Sequence, residues 1–337
     1  MRVGVIGGGQ LGRMLALAGI PLGLSFRFLD PAPDAPAREV GELLVGAYDD
    51  PQLLDRLADG ADVVTYEFEN VAVAAARRVG ALPGAAALER GQDRLAEKEL
   101  FRSLGIPTAD FGSPPPPVVV KTRRLGYDGK GQRVERGPYT AGDDEIAEAL
   151  VPFDRELSLV AVRARDGETR FYPLVENVHE GGILRRTTAP AERAPQARAE
   201  EYVQRLLDEL DYVGVLALEL FDVGGELVAN EFAPRVHNTG HWTIEGAVTS
   251  QFENHLRAIL GLPLGPTDAL GSSVMLNLIG TLPPLDALLA IPGAHVHLYG
   301  KEPRPGRKLG HVTLVDAAPD ARRRLEEVVA SATPATP

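Results

Sequence analysis

Short apolar runs alternate with segments of helical period over the first ninety residues. Arg2–Ile6 predicts a strand that runs straight into Gly7-Gly8-Gly9, and a helix from about Gln10 to Leu22 follows. Leu24–Leu29, ending in Asp30, predicts a second strand, and Val63–Tyr66 a later one after a helical Pro51–Leu57. Strands alternating with helices imply a parallel sheet with crossovers. A second unit opens with a charged helix from Asp93 to about Leu104 and crosses a helix-free connector, Ser113–Pro117, read as a stiff loop rather than a proline-rich docking motif. It continues as a strand at Val118–Lys121, a glycine-rich turn at Gly126–Gln132, a strand restarting near Val134, and a helix at Asp143–Leu150. In the third unit, strands are expected at Leu157–Arg163, Phe171–Val175, Val215–Phe221 and Leu227–Glu231, with a helix at Ala197–Leu210 and a hairpin turn at Gly224-Gly225. A helix at Gln251–Leu260 precedes a Gly/Pro-rich stretch with short strands near Ser273–Leu278, His295–Leu298 and Gly310–Leu314. A helix at Ala317–Ala330 closes the pattern, and Ser331–Pro337 reads as a disordered tail. The units so delimited are 1–90, 91–150, 151–262 and 263–330.

Composition narrows the classes. With 337 residues the chain can build two or three packed units, and a net charge of -12 argues against a general nucleic-acid or anionic-membrane surface. There is no cysteine, which excludes disulfides and thiolate chemistry and fits a reducing cytoplasm. Leu11–Leu24 is interrupted by Arg13, Gly19, Pro21 and Gly23 and is read as a helix, not a signal core. No apolar run approaches the ~20 residues that span a bilayer.

Gly7-Gly8-Gly9-Gln10-Leu11-Gly12 fits G-x-G-x-x-G between a strand and a helix, with Asp30 ending the next strand. Alone, this favours a dinucleotide site. Only about 90 residues precede the change of pattern, however, and the later chain holds a more complete nucleotide constellation; the anion approached by these glycines could belong to a substrate. Lys121 ends a β-branched strand, and Gly126-Tyr127-Asp128-Gly129-Lys130-Gly131-Gln132 follows. This is no Walker loop, but a glycine-rich turn between strands can fold over phosphates as a flap, with Lys98, Lys121 and Lys130 nearby. Glu219 and Glu231 fall on strands joined by Gly224-Gly225, and with Asn230 they offer hard oxygen ligands suited to Mg²⁺ bridging nucleotide phosphates. His237 and His241 have zinc-like spacing, but Pro234 and Gly240 break the helix that such a site needs. Arg235, His237 and Asn238 are better read as a substrate loop. Lys301, Arg307, Lys308 and His311 form a late basic cluster fit to clamp a phosphate. On these residues an NAD-dependent oxidoreductase, a nucleotide-binding regulator and ATP-dependent ligases with other acceptors all stay open.

Six segments carry a resemblance over nearly the whole chain: Gly7–Met14, Asp93–Phe101, Lys121–Gln132, Phe171–Leu184, Asn230–Trp242 and Pro305–His311. Together they resemble the N5-carboxyaminoimidazole ribonucleotide synthases, ATP-grasp ligases of purine biosynthesis. That resemblance implies an ATP-grasp fold of α/β and α+β character. It places a parallel-sheet, Rossmann-like pre-ATP-grasp domain before the ATP-grasp lobes and a small C-terminal subdomain after them. It implies that ATP and bicarbonate carboxylate the amino group of aminoimidazole ribonucleotide, through carboxyphosphate, in a cytoplasmic homodimer. By the same resemblance Arg94, Lys121, the 126–132 loop, Glu148, Glu156, His179 and Asn230 contact ATP, with Glu148 at the hinge accepting the ribose hydroxyls. Glu219 and Glu231 match magnesium ligands. Gln10, Leu11, Glu67, Arg235, His237, Asn238, Lys301, Arg307 and Lys308 surround bicarbonate and the aminoimidazole nucleotide, with His237 as proton acceptor or positioner. The connector Ser113–Pro117 is short for the family, and the hinge reads Ala149-Leu150-Val151, so adenine is expected on backbone groups.

Overall fold

The computed structural model describes residues 1–126 and 129–332, so the Tyr127, Asp128 and 333–337 assignments lie outside the described residues. Three sheets organise the chain. The first holds β1 (Arg2–Ile6), β2 (Ser25–Asp30), β3 (Glu42–Val45) and β4 (Val63–Tyr66), all parallel, in the order β3-β2-β1-β4. Val3, Val5 and Ile6 of β1 are fully buried, as expected for a strand covered on both faces. Its helix, Gln10–Gly19, turns a Leu/Met face onto the core and packs against the helix Gln251–Leu260. Parallel strands end together, so the loops after β1 and β4 meet at one edge.

The second sheet is small and antiparallel: β5 (Val118–Thr122) lies between β6 (Gln132–Glu135) and β7 (Glu145–Ala149). The expectation of a helix over 143–150 fails here. Glu and Ala favour helix by propensity, but the segment pairs with β5 from Thr122↔Glu145 to Val118↔Ala149, burying Ile146, Ala147 and Glu148. Tertiary pairing outweighs local preference.

The third sheet has nine antiparallel strands: β8 (Arg155–Arg163), β9 (Thr169–Phe171), β10 (Val175–Glu180), β11 (Ile183–Ala189), β12 (Gly214–Val223), β13 (Glu226–Ala233), β14 (Ser273–Ile279), β15 (His295–Leu298) and β16 (Lys308–Val315). The order is β13-β12-β8-β10-β11-β14-β16-β15, with β9 beside β8. The Gly/Pro-rich late segment therefore extends this sheet. The strand expected at Phe171–Val175 splits in two around Pro173, which cannot donate to a ladder. The hairpin β10–β11 escaped the hydrophobic pattern because Glu176, His179, Arg185 and Arg186 interrupt it. Ser331 is helical, at the end of Pro319–Ala332, not part of a tail.

One buried histidine pins the first sheet to the third. His255 Nδ1 accepts from the Val215 amide at 3.1 Å, which leaves Nε2–H to donate to Thr65 Oγ1 at 3.0 Å. Burial drives its pKa down to about 3. Against an unfolded value near 6.5, the unfolded chain binds the extra proton between those limits, so this contribution is complete above about pH 6.5 and fades as pH falls. His255→Leu is expected to lower stability at neutral pH by ~1–3 kcal/mol. Thermal melts of the variant should also lose less stability between about pH 6.5 and 5 than the native protein. Equal acid sensitivity in both would assign it to other groups.

Candidate active site

A cleft of about 1310 Å³ lies where the three sheets converge. That exceeds the usual single-ligand range of ~300–1,000 Å³ and suits two ligands side by side. The sequence-derived site residues among the described ones line it, except Lys98, Gly131 and His311. Gly131, at φ 76°, backs onto Thr122, where a Cβ would sit 2.5 Å from the hydroxyl.

The glycine loop after β1 overturns the dinucleotide reading. Gly8 N donates to Asp30 Oδ2 at 2.8 Å, while Gly9 N and Gly12 N (2.7 Å) both donate to the Glu67 carboxylate. The anion at this helix N-terminus is thus the chain's own side chain, where a pyrophosphate or substrate anion was entertained. Burial raises the Glu67 pKa despite those two amides. Beside it, Lys301 Nζ donates to Gln10 Oε1, and burial lowers the Lys301 pKa to about 8.

The floor of the cleft is the β12–β13 hairpin. Glu219 and Glu231 are direct cross-strand partners, and the register then slips so that Leu220 faces Ala229. Asn230 is the extra residue of a β-bulge. In a regular strand Asn230 and Glu231 would point to opposite faces; the bulge re-aims one so that both line the cleft. Burial pushes the Glu219 carboxyl up to about 7, helped by the charge on Glu231. Burial also works against Glu231, but Arg94, bonded to it at 2.7 Å, holds it down to about 2. This part-buried carboxylate pair fits a divalent cation. Among the described residues no cluster of three or more His, Cys, Asp or Glu ligands exists, so remaining ligands would be waters and phosphate oxygens, as Mg²⁺ favours.

Lys121 Nζ lies 2.9 Å from Glu148 Oε2 and 3.4 Å from Asn230 Oδ1. Glu148 is buried and shared with Lys98, whereas Glu156 accepts from His179 at 2.6 Å at the cleft wall. Residues 150–154 cross from the small sheet to the large one beside the stacked rings of Phe153 and Phe221, 4.6 Å apart. Gly129 of the flap (φ 75°) touches the tip of the β10–β11 hairpin: an added Cβ would lie 2.6 Å from Gly181 O.

The loop after β13 is clamped from below. Gln251, fully buried, takes His237 N at 3.0 Å and gives Nε2 to His237 O at 2.6 Å. Asn177 accepts from Thr239 at 3.0 Å. Arg235 donates to buried Glu69, a cleft residue that the sequence reading missed although it stands two residues after Glu67. Among the described residues, neither polar atom of the Asn238 amide, both buried, has a hydrogen-bond partner. His237 Nδ1 faces Thr239 N at 3.4 Å, so the ring proton belongs on Nε2, 3.5 Å from Glu219; burial and then Arg235 hold the ring's pKa well below 6.5. His241 turns away into the core against Phe252 and His311, so it shares no ligand sphere with His237. His311, expected in the basic cluster, is buried too, with Tyr299 at 2.7 Å. Arg304, also missed, joins Lys301, Arg307 and Lys308 at the far end.

The preATP-grasp domain of ribonucleotide synthetases matches residues 1–90, the ATP-grasp domain residues 108–252, and the phosphoribosylaminoimidazole carboxylase C-terminal domain residues 273–324. N5-carboxyaminoimidazole ribonucleotide synthase of Pseudomonas aeruginosa is 54% identical over 93% of this chain and 94% of its own. The chain belongs to the N5-carboxyaminoimidazole ribonucleotide synthase family. The Brucella melitensis synthase is 46% identical over 93% of this chain and 96% of its own. The crystal structure of the Thermus thermophilus synthetase superposes with a TM-score of 0.92 at 53% identity, covering 100% of both chains. That of the Aspergillus clavatus synthase, in complex with ADP and 5-aminoimidazole ribonucleotide, gives 0.87 at 31% identity and 98% of both. The fold is ATP-grasp behind a parallel-sheet domain. Among the described residues no helix is long and apolar enough to cross a membrane.

With its glycine amides occupied by Asp30 and Glu67, a synthase of this family is expected to give no saturable signal when NADH is titrated and followed by fluorescence. Saturable binding would mean that Glu67 leaves the loop. Glu67→Ala, which strands two amides, should lower stability by ~1–3 kcal/mol in denaturant titrations.

Proposed function

We propose that the chain uses ATP and bicarbonate to carboxylate the exocyclic amine of 5-aminoimidazole ribonucleotide, releasing ADP and phosphate. The carrying observation is the Asn238 amide, buried, unpartnered and placed in the lining of a cleft that has phosphate-binding groups at both ends. A buried amide costs free energy until a ligand satisfies it, and a second ligand beside the nucleotide is what the cleft volume allows. The full-length family match supplies the chemical class.

In this reading Lys121, Lys130 and the flap hold the ATP phosphates, the crossing at 150–154 with Phe221 holds adenine, and Glu156 takes the ribose. Glu148 lies behind Lys121 as its counter-ion instead of meeting the ribose directly. Glu219 and Glu231 would hold magnesium, which would supply charge neutralisation for the phosphates. Bicarbonate oxygen attacks the γ-phosphorus as the bond to ADP breaks, giving carboxyphosphate. This collapses to CO₂ and phosphate; the amine attacks CO₂, and the phosphate so released takes its proton. Arg235, fixed by Glu69, meets the anionic carboxylating species, and Asn238 orients the acceptor. His237, neutral with its proton on Nε2, positions; it is not the base. Lys301, Arg304, Arg307 and Lys308 hold the acceptor's 5′-phosphate. Absence of cysteine supports a cytoplasmic setting, and family membership supports a homodimer.

ADP release with bicarbonate is expected to rise at least about tenfold when aminoimidazole ribonucleotide is added. Stimulation instead by glycinamide ribonucleotide or an amino acid would refute the acceptor. Glu231→Gln should cut kcat by roughly a hundredfold or more at ordinary Mg²⁺ with the thermal midpoint little changed; near-normal turnover would remove Glu231 from the metal site. Because Lys301 is charged below about pH 8 and neutral above it, acceptor KM should climb as pH rises through 8. Lys301→Arg, charged throughout, should flatten that rise, and a parallel climb in both proteins would assign it elsewhere.

A further inference from the structure

The bulge that aims Asn230 leaves a difficulty at its back. β13 is the outermost strand of its sheet, and its outer edge faces the helix Arg94–Ser103 and the segment 107–108. Buried edge groups need partners. The helix Arg94–Ser103 provides two of them: Glu97 accepts from Phe232 N at 2.7 Å, and Lys98 Nζ donates to Asn230 O at 2.6 Å. Thr108 covers the next position, donating its hydroxyl to Ala229 O at 2.8 Å.

Lys98 does more than close an edge. Its Nζ also lies 3.1 Å from Thr108 Oγ1 and 3.3 Å from Glu148 Oε2, and its side chain is 1% exposed. The Thr108 hydrogen is already committed to Ala229, so all three neighbours are acceptors. Three acceptors require three N–H groups, which only the ammonium has. Burial lowers the Lys98 pKa, and the adjoining Glu148 carboxylate opposes that shift. Glu148 Oε2 lies between two ammoniums, Lys98 behind it and Lys121 in front. The three groups sum to +1, and only Lys121 and Glu148 reach the cleft.

We propose that Lys98 is a positioning residue for phosphate transfer, fixing the Asn230 bulge by its backbone and offsetting the Glu148 charge so that Lys121 faces the phosphates with its own charge unspent. Without Lys98, the Lys121–Glu148 pair is neutral and the bulge carbonyl is buried unpartnered. The proposal rests on the reading of Lys121 as a phosphate ligand, and Lys121→Met tests that reading by itself.

The experiment compares ATP and aminoimidazole ribonucleotide titrations for the native protein, Lys121→Met, Lys98→Met and Lys98→Met/Glu148→Gln, with a thermal melt of each. Lys121→Met should raise the ATP Kd at least about tenfold; an unchanged value overturns the phosphate reading, not the role of Lys98. With that loss in hand, Lys98→Met should also weaken ATP by about tenfold while acceptor affinity changes less than about twofold. The double variant restores +1 at the site, so it should bind ATP at least about threefold more tightly than Lys98→Met, despite carrying one more substitution. A purely structural lysine gives the opposite result: equal loss for both ligands and a double variant no better than the single. Either that pattern, or Lys98→Met with native ATP affinity, overturns the proposal. If Lys98→Met does not fold, the double variant decides: ATP affinity within about fivefold of native supports charge offset, while a loss of both ligands or failure to fold overturns it.

Discussion

Glu219 and Glu231 are part-buried carboxylates facing one another across neighbouring strands, and two like charges so placed need cations around them. The surrounding chain is arranged by that need. Arg94 arrives from the helix after the first domain, Lys121 from the small sheet, His237 from the loop beyond β13. Each comes from a different part of the sequence, so one hairpin gathers two cations, Arg94 and Lys121, and the neutral ring of His237. The asymmetry also matters. Arg94 already neutralises Glu231, whereas burial and the charge on Glu231 raise the Glu219 pKa to about 7.

Much of this was legible in the residues because the relevant signals are local. Gly224-Gly225 between two apolar strands announced the hairpin, and the glycine run after Lys121 announced the flap. Site residues came partly from spacing and partly from family likeness, and the cleft collects nearly all of the described ones. What stayed hidden depends on contacts between distant segments. β7 looked helical because Glu and Ala carry no strand signal until β5 lies beside them. The hairpin β10–β11 is too polar to show a period, its charged residues being turned to the cleft and to solvent. Glu69 gave no sign of importance, since its partner Arg235 is 166 residues away.

The glycine loop after β1 shows how a correct local reading can mislead. Its turn, its helix and its amide donors are all present, and the pattern describes them faithfully. A pattern of glycines cannot say what anion will arrive, and here the strand β4 delivers one from within the chain. Glu67 fills the cradle, while Gln10 and Lys301 carry the cleft wall past it.

The nine-stranded sheet joins the ends of the cleft. β12 and β13 carry Glu219, Asn230 and Glu231, and β16 begins with Lys308, with every strand between them hydrogen-bonded to its neighbour. The span between those two ends of the cleft is therefore set, within this sheet, by strand spacing of about 4.8 Å per step. A short-lived carboxylating species formed at one end has a fixed distance to travel. For the proposed reaction the consequence is stoichiometric: a sheet that kept donor and acceptor in register would let one ATP yield one carboxylated product, whereas a looser one would spend nucleotide on CO₂ lost to water.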